Sequence, residues 1–218
     1  MRSVIMVLLG GLLPAGDLWA QSATAPAATP APASTETNLV EITQSNSDVT
    51  AGRKIAGMCR TCHGLEGMAR IPIAPHIGGE TVEYLMKQLH AFKSGEREHE
   101  MMSVVARGLS DAQIKDVATW FNHFDVAATL PPGKTEDDAP QLCVGCHGAN
   151  GISELPEAPN LAAETNIYIE TQIKAFRAGK RVHDVMTPIA KDLTDTEMQQ
   201  ASDWYSKIDL KITDPLGK

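Results

Sequence analysis

The chain has 218 residues, enough for one ordinary domain or two small ones, with 43% hydrophobic and 21% charged residues. Nineteen Lys and Arg face twenty-seven Asp and Glu, a formal net charge of −8 that leaves no basic surface to neutralise phosphates and excludes a nucleic-acid partner. The charge is uneven: residues 38–128 carry nine basic and eleven acidic side chains, residues 129–218 nine and fourteen.

Met1-Arg2-Ser3 precedes an apolar run from Val4 to Leu13, with small residues at Ala20, Ala23 and Ala25. This is the layout of an export signal of Sec type, so residues 1–20 are expected to be removed, with cleavage as late as Ala25, and the mature protein to reside in the periplasm. No later stretch approaches the roughly 20 apolar residues that a membrane span needs. No transmembrane anchor is therefore expected in the mature form, and peripheral association with a membrane stays open. Residues 21–44 begin with a run of Ala, Pro, Ser and Thr that has nothing to bury and reads as a disordered linker.

A first module is drawn at residues 45–126. Asp48 to Met58 is expected to form a short helix leading into Cys59-Arg60-Thr61-Cys62-His63, and Thr81 to Ser94 a second, with Tyr84, Leu85, Leu89 and Phe92 at helical spacing and Gly95 as the stop. Ser110-Asp111-Ala112-Gln113 has the capping-box pattern and opens a third helix with Ile114, Val117, Ala118 and Phe121 on its apolar face. Residues 127–138, with Pro131-Pro132-Gly133 and Glu136-Asp137-Asp138, read as a linker. A second module then runs from 139 to 212. It repeats the first: a shift of 84 residues lays Cys143-Val144-Gly145-Cys146-His147 on the first cysteine pair and holds register to Ile208 without a gap. Among the coincidences are Pro75/Pro159, Tyr84/Tyr168, Gln88/Gln172, Arg97/Arg181, His99/His183, Met102/Met186 and Trp120/Trp204. No alternating run suggests a sheet, so the expected fold is all-α, two tandem modules joined by a linker.

Four cysteines in an exported chain ordinarily suggest disulfides. Here each pair is two residues apart and followed at once by His, the signature of covalent haem c attachment: two thiols to reach the two vinyl groups and an imidazole to reach the iron. A four-thiolate zinc site would leave the two histidines without a role and would have to join pairs in separate repeats. Two haem c groups are thus expected, on Cys59 and Cys62 and on Cys143 and Cys146, with His63 and His147 as axial ligands. For the sixth position Met is the common choice in electron carriers, and Met102 and Met186 alone among the nine methionines correspond across the repeat, in what reads as a loop between helices. The rival ligands are His99 and His183, three residues earlier. Arg97 and Arg181 are placed near haem propionates or at a structural position with equal weight. Pro75 and Pro159 are placed either as carbonyl acceptors for the imidazole N–H of the haem histidines or in simple turns. His76, His90 and His123 have no His counterpart and are expected on the solvated surface.

On Ala74-Pro75-His76-Ile77-Gly78-Gly79, Tyr84-Leu85-x-x-Gln88-Leu89-x-x-Phe92, Gly95-x-Arg97, Met102 and Leu109-Ser110-Asp111 through Trp120-Phe121, the chain resembles the dihaem cytochrome c4 family, two class I cytochrome c modules in tandem, over about residues 45–210. The resemblance implies haem ligands at His63, Met102, His147 and Met186. It departs from the family pattern at Glu80 and Glu164, where Gln is usual, and at Trp120-Phe121 and Trp204-Tyr205.

Two irons with both axial positions filled suit outer-sphere electron transfer. The expected protein is an electron carrier and not an enzyme, moving single electrons from a quinol-oxidising complex or a dehydrogenase to a terminal oxidase or reductase. The alternatives are a cytochrome subunit fixed to a dehydrogenase, or a dihaem enzyme of peroxidase or thiosulfate-oxidising type. A peroxidase needs a haem able to open a coordination position, and the matched methionines mark none. A thiosulfate-type enzyme is expected to use a Cys ligand, and all four cysteines are already assigned.

Overall fold

Helix signals in the sequence become helices with the chemistry they encode. In a computed structural model, residues 49–217 are described; the export signal, the linker at 21–44 and the first residues of the first module lie outside the described residues. Residues 49–56 are helical (α1) and lead to α2 (Arg60–His63), which carries the second thiol and the histidine of the first haem motif. Thr81 caps α3 (Val82–Ser94) by accepting from the Tyr84 N–H, and Gly95 ends it at φ 89°, a left-handed position suited to glycine. α4 (Met102–Arg107) follows, then α5 (Asp111–Asn122), opened by the expected Ser110/Gln113 capping box.

The second half repeats this order. α6 (Gln141–His147) bears the haem motif, and α7 (Asn166–Arg177) is capped by Thr165. α8 (Met186–Asp192) precedes α9 (Asp195–Ser206), which opens on the Thr194/Glu197 box. Each half closes on its own apolar cluster. Tyr84, Leu85, Val117, Phe121 and Phe124 are buried in the first; Ile169, Ile173, Phe176, Met198, Tyr205 and Ile208 in the second. The apolar face expected for α5 is the one buried, and its counterparts Met198, Ala201 and Tyr205 are buried on α9.

The all-α, two-module architecture holds, and two details need correction. A small sheet does form: β1 (Asp125–Thr129) and β2 (Asp209–Thr213), the tails of the two halves, pair antiparallel about Ala127 opposite Lys211. Their short alternation, half-buried on every second residue, was too brief to signal a strand. The ribbon ties the halves together by exchange. Ile212 packs on the first cluster, and Ala128 and Leu130 pack on the second. In addition, Met102 and Met186 do not lie in loops but begin the short helices α4 and α8. All described residues fall in one compact unit.

The pairing of residues 127 and 211 announces a pseudo-two-fold seam, and the contacts across it obey the 84-residue shift. The Thr81 hydroxyl donates to the Pro156 carbonyl, and the Thr165 hydroxyl to the Pro72 carbonyl. The Arg97 guanidinium donates to Gln88 and, across the seam, to Gln172 at 2.7 Å; Arg181 donates to Gln172 and, across the seam, to Gln88 at 2.9 Å. Each arginine also lies 4.5 Å over a ring of its own half, Phe92 or Phe176. In the described contacts both arginines form a seam of charge-assisted hydrogen bonds between the halves.

Candidate haem sites

Each haem motif is held from behind by the last helix of its half. The Trp120 indole N–H donates to the Leu65 carbonyl and that of Trp204 to the Ala149 carbonyl, both at 2.8 Å. These bonds pin the loop just after each His. The loop is then folded back on itself: the Gly67 carbonyl accepts from the N–H groups of Ile77 and Gly78, and that of Gly151 from Leu161 and Ala162. Gly67 sits at φ 88° and a Cβ there would lie 2.1 Å from the Gly78 nitrogen, so only glycine allows the two strands of the loop to close.

Closing the loop brings a proline carbonyl onto each histidine. His63 Nδ1 lies 2.9 Å from the Pro75 oxygen and His147 Nδ1 2.8 Å from the Pro159 oxygen, as expected from the sequence. A carbonyl can only accept, so Nδ1 carries the proton and Nε2 keeps its lone pair. Both rings are buried, 7% and 6% exposed, and burial holds them below the ordinary histidine range against the opposing pull of the proline carbonyl. A neutral imidazole with an oriented, basic Nε2 is what an axial haem ligand requires.

The thiols complement them. Cys59, Cys62, Cys143 and Cys146 are all unbridged and partly buried. Burial, and then the neighbouring thiol of the pair, pushes Cys59 and Cys143 up to about 11. Among the described residues no cluster of three His, Cys, Asp or Glu side chains is arranged to hold a metal ion, so the four thiols are not gathered into a zinc site. Two thiols per half beside one buried, neutral, carbonyl-anchored imidazole fit covalent haem c.

Met102 and Met186 are partly buried, and Met186 packs against the core of its half, whereas Met101 is 63% exposed. The rival histidines are engaged otherwise. His99 Nδ1 accepts from the N–H groups of Met101 and Met102, and His183 Nδ1 from those of Val185 and Met186, which caps the helix each methionine begins. His90 is about half exposed, but His76 and His123 are not on the solvated surface as expected. His123 Nε2 lies 3.3 Å from Asp214, and His76 sits in the seam. His76 stands where the second half has Asn160, and both do the same work. His76 Nδ1 accepts from the Ala69 N–H and its Nε2 reaches the Ala163 carbonyl; the Asn160 side chain accepts from Ser153 and donates to the Gly79 carbonyl. Comparing residue with residue across the repeat, rather than His with His, would have found this.

The buried residues that sequence reasoning missed are Glu80 and Glu164, 3% and 2% exposed. The Asn160 N–H donates to Glu80 Oε1 at 2.9 Å and the His76 N–H to Glu164 Oε1 at 2.7 Å. Their departure from the family's usual Gln was the one available signal.

Known proteins place this arrangement. No protein-family model matches the chain. It is 31% identical over 181 residues to the cytochrome c4 of Thiocapsa roseopersicina, covering 72% of this chain and 91% of that protein. It is 31% identical over 178 residues to a thiosulfate dehydrogenase electron acceptor of Thiomonas intermedia, covering 72% and 82%. The fold matches that of reduced recombinant cytochrome c4 from Pseudomonas stutzeri with a TM-score of 0.64 at 24% identity, over 74% of this chain and 98% of that one. With paired haem motifs, a gapless repeat and a seam between two helical halves, the chain belongs to the cytochrome c4 family, the dihaem electron-transfer cytochromes of c type.

Proposed function

We propose that this protein is a periplasmic carrier whose two haem modules, residues 45–126 and 139–212, hold one haem each on Cys59 and Cys62 and on Cys143 and Cys146. His63 and Met102 would hold the iron of the first haem and His147 and Met186 that of the second. The observation that carries this reading is the pair of locked imidazoles: each Nδ1 is bound to a proline carbonyl, which leaves Nε2 as the ligating nitrogen in both halves. The bound haem supplies a one-electron iron couple. The chain's contribution is to orient the imidazole, exclude water with the buried cluster of each half, and hold the two modules against one another through the arginine and glutamine seam.

A haem iron held by both His and Met would offer no place for substrate, which supports a carrier that moves electrons without transforming substrate. Donors are a quinol-oxidising complex or a dehydrogenase; acceptors are a terminal oxidase or reductase. A second reading, acceptor of electrons from thiosulfate dehydrogenase, is favoured by the likeness to the Thiomonas intermedia protein of that description. The test of the ligand assignment is an optical redox titration of the mature protein with Met102→Ala and Met186→Ala beside it. The wild type is expected to be fully low-spin with the sulfur-to-iron band in the red. Each variant is expected to lose about half of that band and to bind CO at one haem. A wild type that binds CO, or a band that survives both substitutions, refutes the assignment. Purified thiosulfate dehydrogenase then separates the two readings of the donor, by reducing this protein at a salt-dependent rate or failing to.

A further inference from the structure

The peptide group that anchors each haem histidine is also held from its other side. His63 Nδ1 donates to the carbonyl of Pro75; the N–H of the same peptide belongs to His76 and donates to Glu164, which lies in the opposite half. The second half repeats the relay: His147 donates to the Pro159 carbonyl, and the N–H of that peptide, on Asn160, donates to Glu80 of the first half. Each histidine is thus joined to a carboxyl of the other module through one peptide group, and hydrogen bonds in series polarise one another.

We propose that Glu80 and Glu164 are positioning residues that set, through peptides 159–160 and 75–76, the electron-donating strength of the histidine in the opposite half, and that their proton occupancy is linked to the redox state of that half. The inference rests on His63 and His147 being haem ligands.

The sign follows from charge. An ionised carboxylate draws on the peptide N–H, makes the proline oxygen a stronger acceptor and gives the imidazole more anionic character, which favours the oxidised iron and lowers the potential. A protonated carboxyl does the reverse. When the redox partner delivers one electron, an ionised Glu80 binds one proton from solvent, COO⁻ and H⁺ giving COOH; on oxidation it returns that proton. No other bond changes.

The surroundings suit carboxyls that hold protons near neutral pH. Glu164 Oε2 is buried without a hydrogen-bond partner, a costly position for an ionised oxygen and an acceptable one for a carboxylic acid. His76, whose backbone N–H donates to Glu164, has its ring held below the ordinary histidine range by burial, with its Nδ1 accepting, so it brings no cation. Glu164 feels the negative charge of Glu80, and the Tyr168 ring on α7 feels Glu164 together with Tyr84, Arg97 and Arg181. Both guanidiniums, however, direct their hydrogen bonds to Gln88, Gln172 and Tyr84 and none to a carboxyl. Burial pushes Glu80 up to about 8, against the smaller pull of the Asn160 N–H, and Glu164 also lies well above the usual carboxylate range.

The test is a pH series of midpoint potentials on the dihaem protein, with the haems told apart by NMR, Met102→His and Met186→His serving as assignment markers. The potential of the haem on His147 is expected to fall as pH rises through about 8, with up to one proton taken up per electron. Glu80→Gln keeps an oxygen for the Asn160 N–H but cannot ionise. It is expected to remove that fall and to leave the haem on His63 less affected than the haem on His147. Redox-difference infrared spectra of the wild type are expected to show a protonated carboxylic acid band growing on reduction. Identical pH curves for wild type and Glu80→Gln, a larger effect on the haem of Glu80's own half, or no carboxylic acid band overturns the proposal; the infrared readout needs no variant. Low-spin spectra with the sulfur-to-iron band at the start of the series establish His/Met ligation separately, so failure of the ligand assignment and failure of the relay are distinguishable.

Discussion

Replacing Glu80 by Gln is expected to stabilise the protein, and by an amount that grows with pH. In the folded chain Glu80 is 3% exposed and burial holds its carboxyl up to about 8, whereas an unfolded chain ionises it near 4.5. Below 4.5 both states are protonated and the residue is neutral in its effect on stability. Between 4.5 and 8 the unfolded state ionises first, so stability is lost by about 1.4 kcal/mol for each pH unit, and the loss levels off above 8. At pH 7 the accumulated loss is roughly 3 kcal/mol. Glutamine retains the acceptor for the Asn160 N–H and carries no such penalty. Chemical denaturation of wild type and Glu80→Gln across this range measures the difference. The two curves are expected to coincide at low pH and to diverge by about 3 kcal/mol at neutrality. A difference that stays constant across the whole range would mean that Glu80 titrates normally in the folded chain, and the argument from its burial would fail.

The loop that carries Pro75 offers a backbone test. Gly67→Ala places a methyl 2.1 Å from the Gly78 nitrogen at a φ of 88°, and is expected to destabilise by about 2–4 kcal/mol, measured by denaturation. A loss below about 1 kcal/mol would show that the loop yields easily. Arg181→Gln removes donations to Gln88, Gln172 and Tyr84 as well as the contact over Phe176, and is expected to cost about 2–3 kcal/mol. Combined with Arg97→Gln, it is expected to split a single calorimetric transition into two as the halves uncouple; one unchanged transition would show that the ribbon of β1 and β2 suffices. His183→Ala removes the acceptor for the Val185 and Met186 N–H groups. It is expected to cost about 1 kcal/mol and weaken the sulfur-to-iron band, with His183→Asn restoring both because asparagine also caps helices well.

By itself, the sequence determined the chemistry and the count. Cys-x-x-Cys-His appears twice, the methionines correspond at 102 and 186, and the capping boxes at Ser110 and Thr194 open the helices they signal. These are local patterns: thiols two apart, a hydroxyl three residues before an amide or carboxylate, apolar residues at helical spacing. Even the proline carbonyl was legible, because its distance from the histidine is short and repeated. Only the tertiary structure decided how the halves meet. The pairing of residues 125–129 with 209–213 joins segments 84 residues apart, and the strands are too short to declare themselves. His76 looked like an unmatched surface histidine until it was seen across the seam from Ala163 and beside Glu164, performing the task of Asn160. Glu80 and Glu164 stood out in the sequence only as departures from the family's Gln, because sequence carries no record of burial. Folding one half against the other removes water from both carboxyls and aims them at the peptides behind the haem histidines.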